Sequence, residues 1–500
     1  MKNTKENLTA YIDAGYPIIY INHFNFKEVD DIIKEATHKD IEIREYSNSY
    51  GYIDFNSKKP YGKMTLAEFL DETALSEDGY EKEIFLVLKE VDSELKNPEI
   101  LSRIRRIVEK MLYDEEGYSV TIFIVSSKIE IPKEIENFVS VIEIPVPDQM
   151  EIKSLIEEFC RVNELDDVEE DLINELLVDF RGLSKYQIEQ ILRLAYVDGG
   201  TIKSEHRELI LQEKEQVIKK SGMLEIINFK ENIDDIGGLE NLKEWLVKKA
   251  KVFEKLGKAL KFGVDIPKGI MIVGMPGCGK SLSAKAVAKL FKVPLIRLDV
   301  GRLLGKYVGE SEENMRKALN ISEQISPCVL WIDEVEKAFA GIGESGGASD
   351  ITTRLFGQFL TWVQEKESTV FIVATANDIS KLPAEFLRKG RFDELFFVDL
   401  PNEDERKKIF EIHLNKRKKW NSSIDISKLV KESNSFNGAD IEAVIKESIE
   451  NAFIEDKKEI TTEDILKVIK TTKSISSTMK DKIESIRKTI EKIDIKPASR

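Results

Sequence analysis

Residues Gly274 to Ser281 read Gly-Met-Pro-Gly-Cys-Gly-Lys-Ser, a full match to the pattern G-x-x-x-x-G-K-[ST]. The apolar run Gly269-Ile-Met-Ile-Val273 precedes it, and Leu282 to Lys289 follows with helical spacing. That context is strand, glycine loop, helix, and it commits the region to an α/β fold. Backbone N–H groups of such a loop turn inward around phosphate oxygens, and the positive end of the helix dipole adds to them. Gly277 and Gly279 admit a backbone that close, with Pro276, Cys278 and Leu282 expected in the same cradle. Lys280 is placed for the β- and γ-phosphates and the Ser281 hydroxyl for Mg²⁺.

A second apolar strand, Cys328 to Ile332, ends in Asp333-Glu334. The two carboxylates suit different tasks: Asp333 orients a Mg²⁺ shell, and Glu334 polarises the water that attacks the γ-phosphorus. Asn377, past a neighbouring strand, can help position that water, although an Asn at a strand end is also an ordinary turn former. Cys278 stands at a helix N-terminus beside Lys280, a setting expected to lower a thiol's pKa; a small side chain that merely fits the loop is the other reading.

The net charge of −16 disfavours a general nucleic-acid binder, which needs a positive surface. A local basic run, Lys416-Arg-Lys-Lys-Trp420, reads as a solvated helix end. Three cysteines without a C-x-x-C pair indicate neither disulfides nor zinc. No apolar run is long enough to cross a bilayer and no signal peptide opens the chain, so a soluble, cytoplasmic protein is expected.

Five hundred residues exceed one core, and the pattern repeats. Residues 11 to 205 alternate strands (Tyr16–Asn22, Ile84–Leu88, Thr121–Val125) with helices, becoming wholly helical from Met150 to Val197. A second α/β unit begins near Ile233 and turns helical from Pro401 to Thr471. Ile84 to Asp92 lies over Cys328 to Glu336, Thr121 to Ser126 over Thr369 to Ala374, and Phe180-Arg-Gly182 over Phe436-Asn-Gly438. Three matches in one order, about 250 residues apart, indicate a tandem fold.

Together, Ile233-Asp-Asp-Ile-Gly-Gly-Leu239, the glycine loop, Val329 to Glu334, Ala376-Asn377 and Leu387-Arg-Lys-Gly-Arg-Phe-Asp393 resemble the AAA family of ring ATPases. The resemblance implies a P-loop NTPase parallel sheet with a C-terminal helical lid, here preceded by a degenerate copy of that architecture. It implies ATP and Mg²⁺ as cofactors, and a homo-oligomeric ring, by analogy a hexamer, acting on a protein partner that the sequence does not name. Arg388 and Arg391 match the family's two arginines that reach the adjacent subunit's nucleotide; surface arginines forming pairs within the chain are the plainer reading. Lys306, Tyr307 and Val308 match its first pore loop, with Tyr307 the gripping residue, and Gly343 to Ala348 falls where a second would lie. Gly438 and Ala439 match the lid contact to base and ribose, and Asp235, Ile236 and Gly237 would close the other side of the adenine. The front half and tail look like a group within the family found in bacteria, cyanobacteria among them, and encoded in some algal chloroplast genomes. Absence of H-E-x-x-H sets the membrane-protease branch aside.

The expected organisation is a degenerate domain over 1–205, a helical linker over 206–230, an ATPase large domain over 231–400, a lid over 401–474 and a helical tail over 475–500. Degeneracy in the first copy is specific. Asn22 to Lys27 offers no glycine, Lys89 stands where Asp333 stands, Ile129 where Asn377 stands, and Glu134 to Phe138 has no arginine. At an effective dielectric near 20 and ~4 Å a unit-charge pair is worth roughly 4 kcal/mol, so a lysine there repels Mg²⁺.

Overall fold

The computed structural model describes residues 4–37, 41–75, 83–113, 119–165, 168–255, 259, 262–303, 310–338, 347–382, 384–388, 390–421, 424–493 and 495–500. By contacts the chain divides into Met1–Val146 and Pro147–Arg500. The helices from Gln149 therefore group with the second unit, not with the strands of the first.

In the first unit, β1 (Ile18–Asn22), β2 (Glu42–Ser47), β3 (Gly51–Asp54), β4 (Pro60–Gly62), β5 (Ile84–Lys89), β6 (Val120–Ser126) and β7 (Val139–Glu143) form one sheet in the order β4-β3-β2-β5-β6-β1-β7. The five strands from β2 to β7 in that order run parallel, and β3 and β4 add an antiparallel hairpin at the edge. Every residue of β5 and β6 is buried, as unbroken apolar strands covered on both faces must be. Side chains alternate between two cores. Ile19, Ile21, Phe85, Val87, Phe123 and Val125 pack with helices Thr4–Asp13 and Phe26–Ala36. Ile18, Tyr20, Leu86, Leu88, Ile122 and Ile124 pack with helices Leu66–Ala74 and Pro98–Tyr113.

The second unit contributes β8 (Leu224–Ile226), β9 (Gly269–Gly274), β10 (Leu295–Leu298), β11 (Cys328–Ile332), β12 (Val370–Ala376), β13 (Glu394–Val398) and β14 (Lys496–Pro497), ordered β14-β13-β9-β12-β11-β10-β8. Its central run β13-β9-β12-β11-β10 repeats the β7-β1-β6-β5-β2 run of the first unit strand for strand, so the fold is a tandem one. Registers correct one detail. Ile84 lies opposite Val120 and Cys328 opposite Val370, so Val120 corresponds to Val370 and Ser127, not Ile129, takes the place of Asn377. A two-residue slip keeps every side chain on its face and leaves the apolar pattern unchanged.

Helices Gln149–Val162, Glu170–Asp179, Lys185–Gly199 and Arg207–Ser221 precede this sheet, sharing an apolar core of their own around Ile156, Phe180 and Ile191. The stretch expected to be a linker is bound on both sides: Ile210 joins that core, Ile218 joins the sheet's core, and β8 pairs antiparallel with β10. Four further helices, Glu403–Lys416, Ile426–Glu432, Gly438–Ile454 and Thr462–Thr471, form the lid. Ser184 and Asn437 each cap their helix reciprocally, with Gln187 and Asp440, but Asn437 lies inside the aligned Phe436-Asn-Gly438 whereas Ser184 stands two residues past Phe180-Arg-Gly182, so only the second match opens its helix directly. The tail is helical only to Ile490; Lys496–Pro497 then joins β13 as an edge strand. Among the described residues no helix is long and apolar enough to cross a membrane.

Candidate functional site

At the carboxyl ends of β9, β11 and β12 the lid and sheet enclose a cleft of about 530 Å³, within the range of small-molecule sites. Residues Pro276 to Leu282 line it, with Asp235 to Gly237, Asp333, Glu334, Asn377, Gly438 and Ala439. The glycine loop leaves β9 and enters helix Lys280–Phe291, whose N-cap is Gly279 in the left-handed region. Gly277 has φ +74°, and a Cβ there would stand 2.7 Å from Asn437 Nδ2 and 3.0 Å from Ala439 Cβ. Only glycine permits both that turn and that approach. Asn437 Nδ2 donates to Pro276 O (3.0 Å) and Ala439 N to Gly277 O (3.1 Å), joining lid to loop.

Lys280 is 6% exposed and its Nζ donates to Gly274 O (2.9 Å) and Met275 O (2.7 Å). Burial lowers its pKa from the ordinary lysine value. Asp333 Oδ1 accepts from Thr375 Oγ1 (2.5 Å) and from Ser281 Oγ (3.4 Å). Glu334 lies at φ +50°, a left-handed conformation rare for a side-chain-bearing residue. Its N–H donates to Thr375 Oγ1 (3.3 Å), and its carboxylate accepts from Asn377 Nδ2 (3.0 Å) and Lys337 Nζ (2.8 Å). Buried Glu336 accepts from Asn377 N (3.0 Å), so the asparagine is held at backbone and side chain by the acidic segment after β11.

The hard oxygens of Ser281 and Asp333, beside a phosphate-shaped loop, suit Mg²⁺, which takes one or two protein oxygens and completes its shell with phosphate and water. Such an ion, when bound, neutralises charge on a polyphosphate.

Arg388 and Arg391 do not line the cleft of their own chain. Arg388 is exposed, and Arg391 Nη1 donates to Glu385 O. Lys306, Tyr307 and Val308 lie outside the described residues, as do Gly343 to Gly346. Cys278 is corrected: burial pushes its thiol up to about 12, and the Lys280 ammonium acts in the other direction without prevailing. The side chain packs against apolar groups of the strand and tail helix. Sequence reasoning missed Thr375, Glu405 and His413, which also line the cleft. Thr375 had a signal, standing two residues before Asn377 and so on its face of the strand.

The same corner of the first unit is built differently. Lys89, at the end of β5, turns to the Phe85 and Val87 face, towards helix Phe26–Ala36, as Asp333 turns towards helix Lys280–Phe291. Its Nζ lies 2.7 Å from Asp30 Oδ1 and 2.8 Å from Glu45 Oε1, and Lys58 pairs with both acids. An internal ammonium occupies the corner where the second unit gathers its hydroxyls and carboxylate.

The profile described as "ATPase family associated with various cellular activities (AAA)" matches residues 270–400, and that of the AAA+ lid domain residues 423–467. Profiles for the N-terminal and second domains of SpoVK-like AAA ATPases match residues 4–144 and 150–221. An "Uncharacterized AAA domain-containing protein ycf46" of Pyropia yezoensis is 39% identical over 97% of both chains. The chain belongs to the AAA ATPase family. A protein of the same description from Guillardia theta is 38% identical over 95% of this chain and 92% of its own. Membership of the AAA ATPases carries nucleotide binding and ATP hydrolysis in general. The SpoVK-like profiles break near residues 144 and 150, at the same place as the contact division.

Proposed function

We propose that the chain is a Mg²⁺-dependent ATPase working as a ring, by family analogy a hexamer, that remodels or threads a protein substrate. The observation that carries the catalytic part is the convergence of Lys280, Ser281, Asp333, Glu334 and Asn377 on one cleft roofed by Gly438 and Ala439. In this reading the loop amides and Lys280 hold the β- and γ-phosphates, and Ser281 and Asp333 hold the metal. Glu334 takes the proton of the attacking water, and Asn377 fixes the Glu334 carboxylate and the water together. The backbone of Asp235 to Gly237 closes on the base. Arg388 and Arg391, outside their own cleft, serve a neighbour's in this reading, where they would stabilise charge on the transferred phosphoryl group. The first unit, with Lys89 in the metal corner, binds no nucleotide and acts in recruitment or ring support. Lys280→Ala tests the reading: the wild-type chain binds ATP and the variant does not, and equal binding by both would overturn it.

A second reading, an ATP-gated assembly switch that hydrolyses slowly and recruits a partner, rests on the same cleft. Tyr307→Ala separates the two. Loss of partner-stimulated turnover supports threading, and partner binding that tracks ATP occupancy without needing Tyr307 supports the switch.

A further inference from the structure

Three segments remote in sequence meet on one carboxylate. Glu405, 4% exposed in the first turn of the first lid helix, accepts from Leu239 N (3.1 Å) and Ser499 Oγ (2.5 Å) on Oε1, and from Asn402 N (2.9 Å) on Oε2. Leu239 ends the turn whose Asp235, Ile236 and Gly237 wall one side of the cleft. Asn402 caps the lid helix. Ser499 belongs to the last residues of the chain, which are tied down throughout: Ala498 is fully buried, its N–H donates to Phe397 O (2.8 Å), and its carbonyl accepts from Leu242 N (3.1 Å). Asn241 Nδ2 donates to Pro497 O (3.1 Å) and Ser499 O (2.7 Å), while Lys496 pairs with Glu394 and Arg500 with Glu244.

The turn also fits against the lid helix with no spare room. A Cβ on Gly238, at φ +87°, would stand 2.2 Å from Glu405 Oε1, and one on Gly237 would stand 2.4 Å from Ile409 Cγ1. Two successive glycines let the backbone lie directly on the helix face that carries Glu405. Without Glu405 the buried Leu239 N–H loses its partner, and without Ser499 the carboxylate loses one of its three donors and the tail its link to the lid.

We infer that Glu405 is a positioning residue for the base side of the nucleotide cleft, and that residues Lys496 to Arg500 are a strap that holds it in place through Ser499. The strap joins the sheet edge, the turn at Asp235 to Leu239 and the lid, so nucleotide base recognition depends on a segment that touches no nucleotide. This rests on reading the cleft as an ATP site. The bonds from Ser499 run to Asn241 and Glu405, so the strap acts on the base end of the cleft.

The test is titration calorimetry of the full chain with ADP and with inorganic pyrophosphate in Mg²⁺, for wild type, Ser499→Ala, a deletion of residues 496–500, Glu405→Ala and Glu405→Gln. One hydrogen bond to a charged acceptor corresponds to about tenfold or more in an equilibrium constant, part of which reaches the nucleotide through the turn. ADP binding should weaken about fivefold in Ser499→Ala and about tenfold in the deletion and in Glu405→Ala. Pyrophosphate binding should change less than twofold, because pyrophosphate has no base to meet the turn. Glu405→Gln, which keeps one acceptor oxygen, should recover part of the loss, and deletion combined with Glu405→Ala should be no worse than the more severe single change. ADP affinity within twofold of wild type in Ser499→Ala and the deletion would overturn the inference. So would equal losses for ADP and pyrophosphate, which would mark general destabilisation. Ser499→Ala removes one half-exposed hydroxyl and keeps the test valid if Glu405→Ala does not fold. A wild-type chain that binds no ADP would instead overturn the reading of the cleft.

Discussion

Replacing Lys89 by Met should unlock the first unit, and the expected size follows from the charges around it. Two lysines and two acids balance there: Lys89 and Lys58 against Asp30 and Glu45, with Lys89, Asp30 and Glu45 side chains all under a tenth exposed. At ~2.8 Å and an effective dielectric near 20 each pair involving Lys89 has a Coulomb energy of roughly 6 kcal/mol, most of it offset by desolvation of the three groups. Taking away the ammonium keeps the desolvation of both acids and removes their main partner. Breaking a buried pair in this way costs about 3–5 kcal/mol. The first unit is one of two, so a global melting curve is a poor readout. Hydrogen exchange on peptides covering β5 and β6 in the full chain reads the local loss: amide exchange should accelerate by roughly two to four orders of magnitude. Adding Asp30→Asn to Lys89→Met should return part of the protection, because one uncompensated charge goes with it. Exchange within about fivefold of wild type in Lys89→Met would refute the reasoning, since the ammonium would then be neutralising nothing of consequence.

Two further outcomes follow from the second unit. If Arg388 and Arg391 act on a neighbour, specific ATPase activity rises with protein concentration, and mixing inactive Lys280→Ala with inactive Arg391→Ala restores part of it; activity unchanged on dilution to a verified monomer would contradict this. Cys278, with its thiol at about 12, should resist iodoacetamide at pH 8 in the native chain and react once unfolded, read by mass spectrometry; rapid native alkylation would show that burial does not govern it.

What was legible in the sequence was what chemistry or burial fixes residue by residue. The strands at Ile84, Thr121, Cys328 and Thr369 read as unbroken apolar runs because both sheet faces are covered. The glycine loop read directly because few residue types fit its backbone. The Cys278 expectation failed for the converse reason: helix dipole and Lys280 are visible in sequence, but desolvation depends on Ile483, Ile486 and Met479, two hundred residues away, packing on the loop. The edge strand Lys496–Pro497 carries no strand pattern, and its pairing exists only because β13 offers an open edge. Glu405 looked like one more charge in the run Asn402 to Arg406, an ordinary helix start. Helix Arg207–Ser221 passed for a linker because its charged faces hide the two contacts, Ile210 and Ile218, that anchor it.

The central claim, that Glu334 drives hydrolysis in a cleft that binds ATP without it, is tested most directly by single-turnover phosphate release from pre-bound Mg²⁺-ATP in wild type and Glu334→Gln. The account predicts equal ATP occupancy in both chains and a rate at least about a hundredfold lower in the variant, the scale of a lost general base. Comparable phosphate release from the two chains would contradict it.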